Sequence, residues 1–267
     1  MRDEGKRNLL GVLVDIVDYE GAVGRIVTAA LRGHGMAVTA LAAHGVMTGV
    51  LDGKHRYRLN HFDLATPDGQ GVRWAMNLVH GAALKDRVYG PRLTLDLCEI
   101  LRERGIPAYF YGSRRDVVER LTQKLKQRFP GLIVAGAEPS VFRALNPDER
   151  ERLVDRIRAS GARITFVGLG CPRQEVFAYE YRDALSMPVV AVGAAFDYHA
   201  GLQREPPLWV QAAGLQWFAR LVKEPGRLWK RYTTYNLAFV TLVALQACRF
   251  WHPDPSGAEP AGELLYG

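Results

Sequence analysis

The stretch Arg163-Ile164-Thr165-Phe166-Val167-Gly168-Leu169-Gly170-Cys171-Pro172-Arg173-Gln174-Glu175 decides the fold. Arg163 to Val167 is a short apolar run rich in β-branched and aromatic residues, which reads as a strand. Gly168, Leu169 and Gly170 turn the chain, and Pro172 opens a helix. A strand running through glycines into a helix is the unit from which parallel sheets are built. The same unit recurs on both sides. Downstream, Val189 to Val192 is a strand ending in Gly193, Ala194 and Ala195. Upstream, Asn146 caps a helix that has Pro147 in its first turn, Asp148 and Glu149 near its positive end, and Gly161 as its stop. Further back, strands are expected at Leu132–Ala135, Ala108–Tyr111, Met36–Leu41 and Gly11–Val17. Helices are expected at Asp116–Phe129, Leu93–Arg104, Gly71–His80, Gly45–Asn60 and Tyr19–Arg32. His61 to Thr66 leads into the turn Pro67, Asp68, Gly69. The expected fold class is α/β, a mostly parallel sheet with helices on both faces.

Composition fits that reading. Of 267 residues, 48% are hydrophobic and 24% charged, so a sizeable core can form and disorder is excluded as the default. The net charge of +7, from 35 Lys and Arg against 28 Asp and Glu, favours an anionic partner: nucleic acid, a phosphorylated substrate or an acidic membrane face. Cys98, Cys171 and Cys248 are far apart and odd in number, which suggests neither a disulfide framework nor a metal cluster and points to a reducing compartment. Met1 to Leu10 lacks the apolar core of a signal peptide. No stretch reads as a clean membrane span; the nearest is Leu237 to Trp251.

Ligands of open parallel sheets bind outside the carboxyl ends of the strands. Four turns fall there: Pro67–Gly69, Tyr111–Ser113, Gly168–Glu175 and Gly193–Gly201. Asp68 is a carboxylate held between a proline and a glycine; it serves either a cleft or only its own turn. Gly168 and Gly170 let a ligand approach backbone ahead of a helix N-terminus, where phosphate is favoured, or they form a tight turn and no more. The segment is neither a dinucleotide fingerprint nor a P-loop. Cys171 has no evident base beside it. Asp197, His199 and Glu205 match no zinc or calcium spacing. His44 follows a strand. In the last third, Arg220, Lys223, Arg227, Lys230 and Arg231 are interleaved with Trp217, Trp229 and Tyr232, which suits a membrane interface, a pyrophosphate, a solvated face or nucleic acid. Leu237 to Leu245 is then a core helix or a segment that dips into the bilayer. The chain divides into a core at 1–207, a basic, amphipathic helical appendage at 208–252 and a flexible tail at 253–267.

Taken together, Thr66–Gly69, Asp86–Pro91, Phe129–Leu132, Phe166–Glu175, Val192–Asp197 with Ala200 and Gly201, and Gly214–Leu221 with Glu224 and Pro225 resemble the WecG/TagA/CpsF glycosyltransferases, in the family's order and over roughly residues 35 to 232. The resemblance implies a Rossmann-like inverting transferase that needs no metal or other cofactor. It implies a UDP-sugar donor, a polyprenyl-diphosphate-linked acceptor and surface-polymer synthesis. Asp68 is then the expected base and Arg87 an active-site arginine. Thr39, His44, Gly69, Gly112, Gly168, Gly170, Gln174 and Asp197 are expected around the substrates, with Arg220, Arg227 and Arg231 closing over them at an anionic membrane surface. Departures include Thr39-Ala40-Leu41 where relatives carry Thr-x-Asn, and Gln216 in place of a usual Glu. The expected location is the inner face of the cell membrane, with homo-oligomers left open and nucleic acid not expected as a partner. The rival readings are a basic nucleic-acid-binding protein and a non-catalytic family member.

Overall fold

The computed structural model describes residues 1–216, 218, 221 and 225–267, with backbone only at 208, 212, 225 and 227–233. A six-stranded, wholly parallel sheet forms the centre, in the order β4(Leu64–Pro67), β3(Met36–Leu41), β8(Pro188–Ala191), β7(Ile164–Gly168), β5(Ala108–Gly112), β6(Val134–Glu138). Alternate residues along each strand point to opposite faces, and each face carries its own core. On one face Tyr109, Tyr111, Val167, Val189 and Ala191 pack with the helices α2(Ala43–Leu51), α3(Gly53–Asn60), α4(Gln70–His80), α7(Pro147–Ala159) and α8(Arg173–Leu185). On the other, Val38, Phe110, Phe166 and Val190 pack with α1(Tyr19–Arg32), α5(Gly90–Glu103), α6(Arg115–Arg128) and α9(Ala195–His199). The α/β expectation therefore holds, with helices on both faces.

Several expectations change in detail. The strand expected at Gly11–Val17 is β2(Val12–Val17), but it pairs antiparallel with β1(Asp3–Leu9) outside the main sheet. Leu10 and Gly11 make the turn, both with positive φ, as two-residue hairpin loops require. Buried Asp15 fastens the hairpin to the sheet, accepting from Ala65 N at 2.8 Å and pairing with Arg25 at 3.0 Å. The single helix expected at 45–60 is two, because Asp52 leaves helical geometry and caps α3 through the Lys54 and His55 amides. The helix after Asn146 has a complete capping box with Glu149.

C-terminal to the sheet come α10(Leu208–Ala212) and α11(Pro225–Ala247). α11 lays Phe239 and Val243 into the core while Leu237 and Val240 stay exposed. The stretch 237–245 thus packs on the body by one face only. Among the described residues, no helix is long and apolar enough to cross a membrane. The tail from residue 253, expected to be flexible, is laid along the body by backbone hydrogen bonds. Asn8 donates to Pro253 O at 2.7 Å, Ala258 N donates to Gly53 O at 3.0 Å, and the Glu180 carboxylate accepts from Leu264 N and Leu265 N at 2.9 Å each.

Candidate active site

Because the strands are parallel, their carboxyl ends share one edge, and α2, α4, α6 and α8 all begin there. Helix N-termini carry unpaired N–H groups and the positive dipole end, so this edge is built to receive anionic oxygens.

Asp68 is the first residue beyond β4. Its N–H donates to Leu41 O at 3.1 Å and Thr66 O at 2.9 Å, tying it to the ends of two strands. Gly69 follows at φ +83, where a side chain would strain the backbone although nothing lies closer than Ala42 Cβ at 3.9 Å. The segment from Asp86 to Gly90 is stitched along the end of β4. Val88 N donates to Pro67 O at 3.0 Å, Thr66 Oγ1 to Val88 O at 3.3 Å, and Gly90 N to Asp68 Oδ2 at 3.4 Å. The segment that carries Arg87 and Tyr89 is thereby held beside Asp68.

Arg87 is only 4% exposed. Its guanidinium donates to Gln211 Oε1 at 2.8 Å and to Gln216 Oε1, and lies 4.0 Å over the Tyr89 ring. Among the described residues its hydrogen-bond partners are amide oxygens, which accept from the guanidinium without cancelling its charge. The Tyr89 hydroxyl is buried with no hydrogen-bond partner among the described residues. Burial, with Tyr198, Asp68 and Glu205 adding, pushes it well above the usual phenol range, which keeps it a neutral donor.

The glycine turns form the second half. Gly112 sits at φ +107 against the end of β7, where a Cβ would come within 2.9 Å of Leu169 and 3.1 Å of the Gly168 carbonyl carbon. A Cβ on Gly168 would strike the Phe196 ring at 2.6 Å, whereas Gly170, at φ +77, has nothing within 4 Å and faces open space. Behind that turn runs a buried polar chain. Gly170 N donates to Gln174 Oε1 at 3.1 Å, Gln174 Nε2 to Glu175 Oε1 at 2.9 Å, and Thr39 Oγ1 to the same Glu175 oxygen at 3.2 Å. Thr39 and Gln174 therefore stand behind the turn and hold it.

The remaining expected residues are spread out. His44, at the start of α2, stacks on Tyr235 of α11 at 5.2 Å and so marks where the core meets the C-terminal helix. Asp197 lies on α9, where its backbone oxygen accepts from Leu202 and Gln203 and its charge acts on Arg114. His199 bonds the Pro91 carbonyl at 2.8 Å and fixes α9 against α5. Arg220 lies outside the described residues, as do the side chains of Arg227 and Arg231. Asp68, Gly69 and Arg87 are thus brought together, with Gly112, Gly168 and Gly170 at the same strand edge.

A sequence model of the glycosyl transferase WecG/TagA/CpsF family matches residues 7–253. The chain belongs to this family. The match runs from the N-terminal hairpin through α11 to the start of the tail, so the family unit includes the C-terminal helices as well as the sheet. The chain is also similar to a Bacillus spizizenii protein, "N-acetylglucosaminyldiphosphoundecaprenol N-acetyl-beta-D-mannosaminyltransferase", at 32% identity over 174 residues. That alignment spans 65% of this chain and 65% of the relative's length.

A carboxylate, a buried guanidinium and a phenol lie together, beside helix N-termini suited to phosphate oxygens. Sequence reasoning did not single out Tyr89 or Gln211. Tyr89 sits two residues from Arg87 in the Asp86–Pro91 motif, which is the signal that could have found it. Gln211 carries no local signal at all.

Proposed function

We propose that this WecG/TagA/CpsF member transfers a hexosyl or N-acetylmannosaminyl group from a UDP-sugar to a polyprenyl-diphosphate-linked sugar, with inversion, in surface-polymer synthesis. The observation that carries the reading is the placing of Asp68, Arg87 and Tyr89 at the strand edge where α2, α4, α6 and α8 begin. Asp68 accepts the proton of the acceptor hydroxyl as that oxygen attacks the anomeric carbon. The bond to the leaving UDP breaks on the opposite face, and its growing charge is met by Arg87 and the helix N-termini. Arg87 and the helix N-termini take the charge-stabilising role that Mg²⁺ would otherwise fill, so transfer by metal-stripped protein is expected to be unchanged by added Mg²⁺ or Mn²⁺. The relative's name supports a mannosaminyl donor and an undecaprenyl-diphosphate acceptor.

An acceptor anchored in a bilayer calls for peripheral binding at the inner face of the membrane. Exposed Leu237 and Val240 on α11, with Trp74 and Leu78 on the neighbouring α4, support that reading. Arg220, Arg227 and Arg231 are proposed to reach the diphosphates.

The test is Asp68→Asn, which keeps an acceptor oxygen for Gly90 N and hence the local fold. Transfer from UDP-sugar to a short polyprenyl-diphosphate sugar should fall by roughly 10²–10⁴ with donor binding retained. Near-normal turnover by a folded variant would remove Asp68 from the role.

A further inference from the structure

We propose that His55, Cys171 and Glu175 form a binding site for a zinc-type divalent ion, separate from the transfer chemistry. His55 comes from α3, Cys171 from the turn after β7 and Glu175 from α8; His55 lies 116 positions before Cys171 and 120 before Glu175, and the three meet where α3 faces the turn. The His55 ring nitrogen, the Cys171 sulfur and a Glu175 carboxylate oxygen all lie within 4.8 Å of one another. In a tetrahedral site, bond lengths of about 2.0–2.3 Å place ligand atoms roughly 3.4–3.6 Å apart, so the three need close by no more than roughly 1 Å around an ion.

Two further observations point to a ligand. His55 and Glu175 are each 2% exposed, and both His55 Nε2 and Glu175 Oε2 are buried with no hydrogen-bond partner among the described residues. Buried polar atoms are almost always paired, so two unpaired ones on residues grouped with a cysteine point to a ligand that accepts electron pairs. The rest of the surroundings already resemble a metal site's outer layer. Glu175 Oε1 accepts from Thr39 Oγ1 and Gln174 Nε2, which fixes the carboxylate plane and leaves Oε2 to point elsewhere. Thr48 Oγ1 lies 3.9 Å from the Cys171 sulfur.

Ligand chemistry selects the ion. One thiolate and one imidazole favour zinc, cobalt, nickel or copper over the hard ions Mg²⁺ and Ca²⁺. An ion would take the place of the Cys171 thiol proton, which is released to solvent. Cys171 is partly exposed, which provides a way in. A bound ion would tie α3 to α8 and to the turn that carries Gly170.

The test reads ion binding in the full chain, not sugar transfer, so it fails or succeeds independently of the proposed activity. Chelator-stripped protein titrated with Co²⁺ should develop a near-ultraviolet thiolate-to-cobalt band that saturates stoichiometrically and is displaced by Zn²⁺. Cys171→Ser should abolish the band, His55→Gln should weaken Co²⁺ binding more than about tenfold, and Cys248→Ser should leave both unchanged. Absence of the band, or a band that survives Cys171→Ser, overturns the proposal. Should Cys171→Ser not fold, alkylation of the unmodified protein decides. Zn²⁺ should protect Cys171 from a thiol reagent as read by peptide mass spectrometry, and equal labelling with and without Zn²⁺ overturns the site.

Discussion

Replacing Gln211 by Leu takes the acceptor away from Arg87 Nη2 and leaves a guanidinium that is 4% exposed with one fewer partner. The lost bond is 2.8 Å long and its donor is charged, which sets the cost at about 1.5–3 kcal/mol. For a protein of this size that corresponds to a fall in Tm of roughly 3–12 °C. Arg87→Met removes the charge and both of its bonds together. Once Arg87 is Met, Gln211→Leu has no guanidinium to abandon and should cost little more. A double-mutant cycle by urea denaturation should therefore return a coupling of about 1.5–3 kcal/mol. A coupling under roughly 0.5 kcal/mol, the ordinary error of additivity, would refute the inference that the Arg87–Gln211 bond helps to hold α10 on the core.

Gly168→Ala should lose about 1–3 kcal/mol by overpacking, since its Cβ meets three Phe196 ring atoms at 2.6–3.0 Å. Gly170→Ala should lose about 1–2 kcal/mol through backbone strain alone, and Phe196→Leu in denaturant titrations should rescue only the first. Glu149 is held down to about 2, from an ordinary 4.5, by Arg143 and by the Asn146 amide. Its stabilisation is therefore present above the ordinary value and lost as pH falls toward about 2, so the Tm deficit of Glu149→Ala at neutral pH should vanish there. Leu237→Asp with Val240→Asp should leave Tm unchanged, both residues being exposed, while weakening sedimentation with anionic vesicles about tenfold or more; undiminished binding would rule out this face of α11.

The parts of the fold that were legible in the sequence are those that local chemistry decides. The helix after Asn146 could be read end to end because cap, proline, acids and terminating glycine all act within one turn of where they sit. The position of Asp68 and of the Gly168–Gly170 turn at strand ends was legible because short apolar runs break there into proline and glycine turns. What escaped depends on partners far along the chain. Asp3–Leu9 carries Asp3, Glu4, Lys6 and Arg7 and has no inward-facing pattern strong enough to announce a strand; only its pairing with Val12–Val17 makes it one. Asp52 breaks the expected helix by preferring the α3 amides to a mid-helix position, a choice that Asp52-Gly53 in fact signals. The tail is rich in proline, glycine and alanine and still tied down, because its ties are backbone groups that composition does not register. Arg87 meets glutamines 124 and 129 residues away, and no local motif encodes that distance.

The place of β8 in the sheet has a consequence during synthesis. The strand order leaves β4 and β3 on one side, β7, β5 and β6 on the other, and β8 as the sole bridge between them. Val38 waits for Val190, its partner across that bridge, until most of the chain has left the ribosome. A nascent chain stopped short of Pro188 holds two half-sheets, each with an open inner edge at β3 or β7, both apolar and both able to accept a strand from another molecule. Late closure of so distant a contact is slow, since the entropy of the long loop is met before any pairing rewards it. Productive folding of this protein in a cell therefore depends on keeping those two inner edges apart from other chains until the last strand arrives.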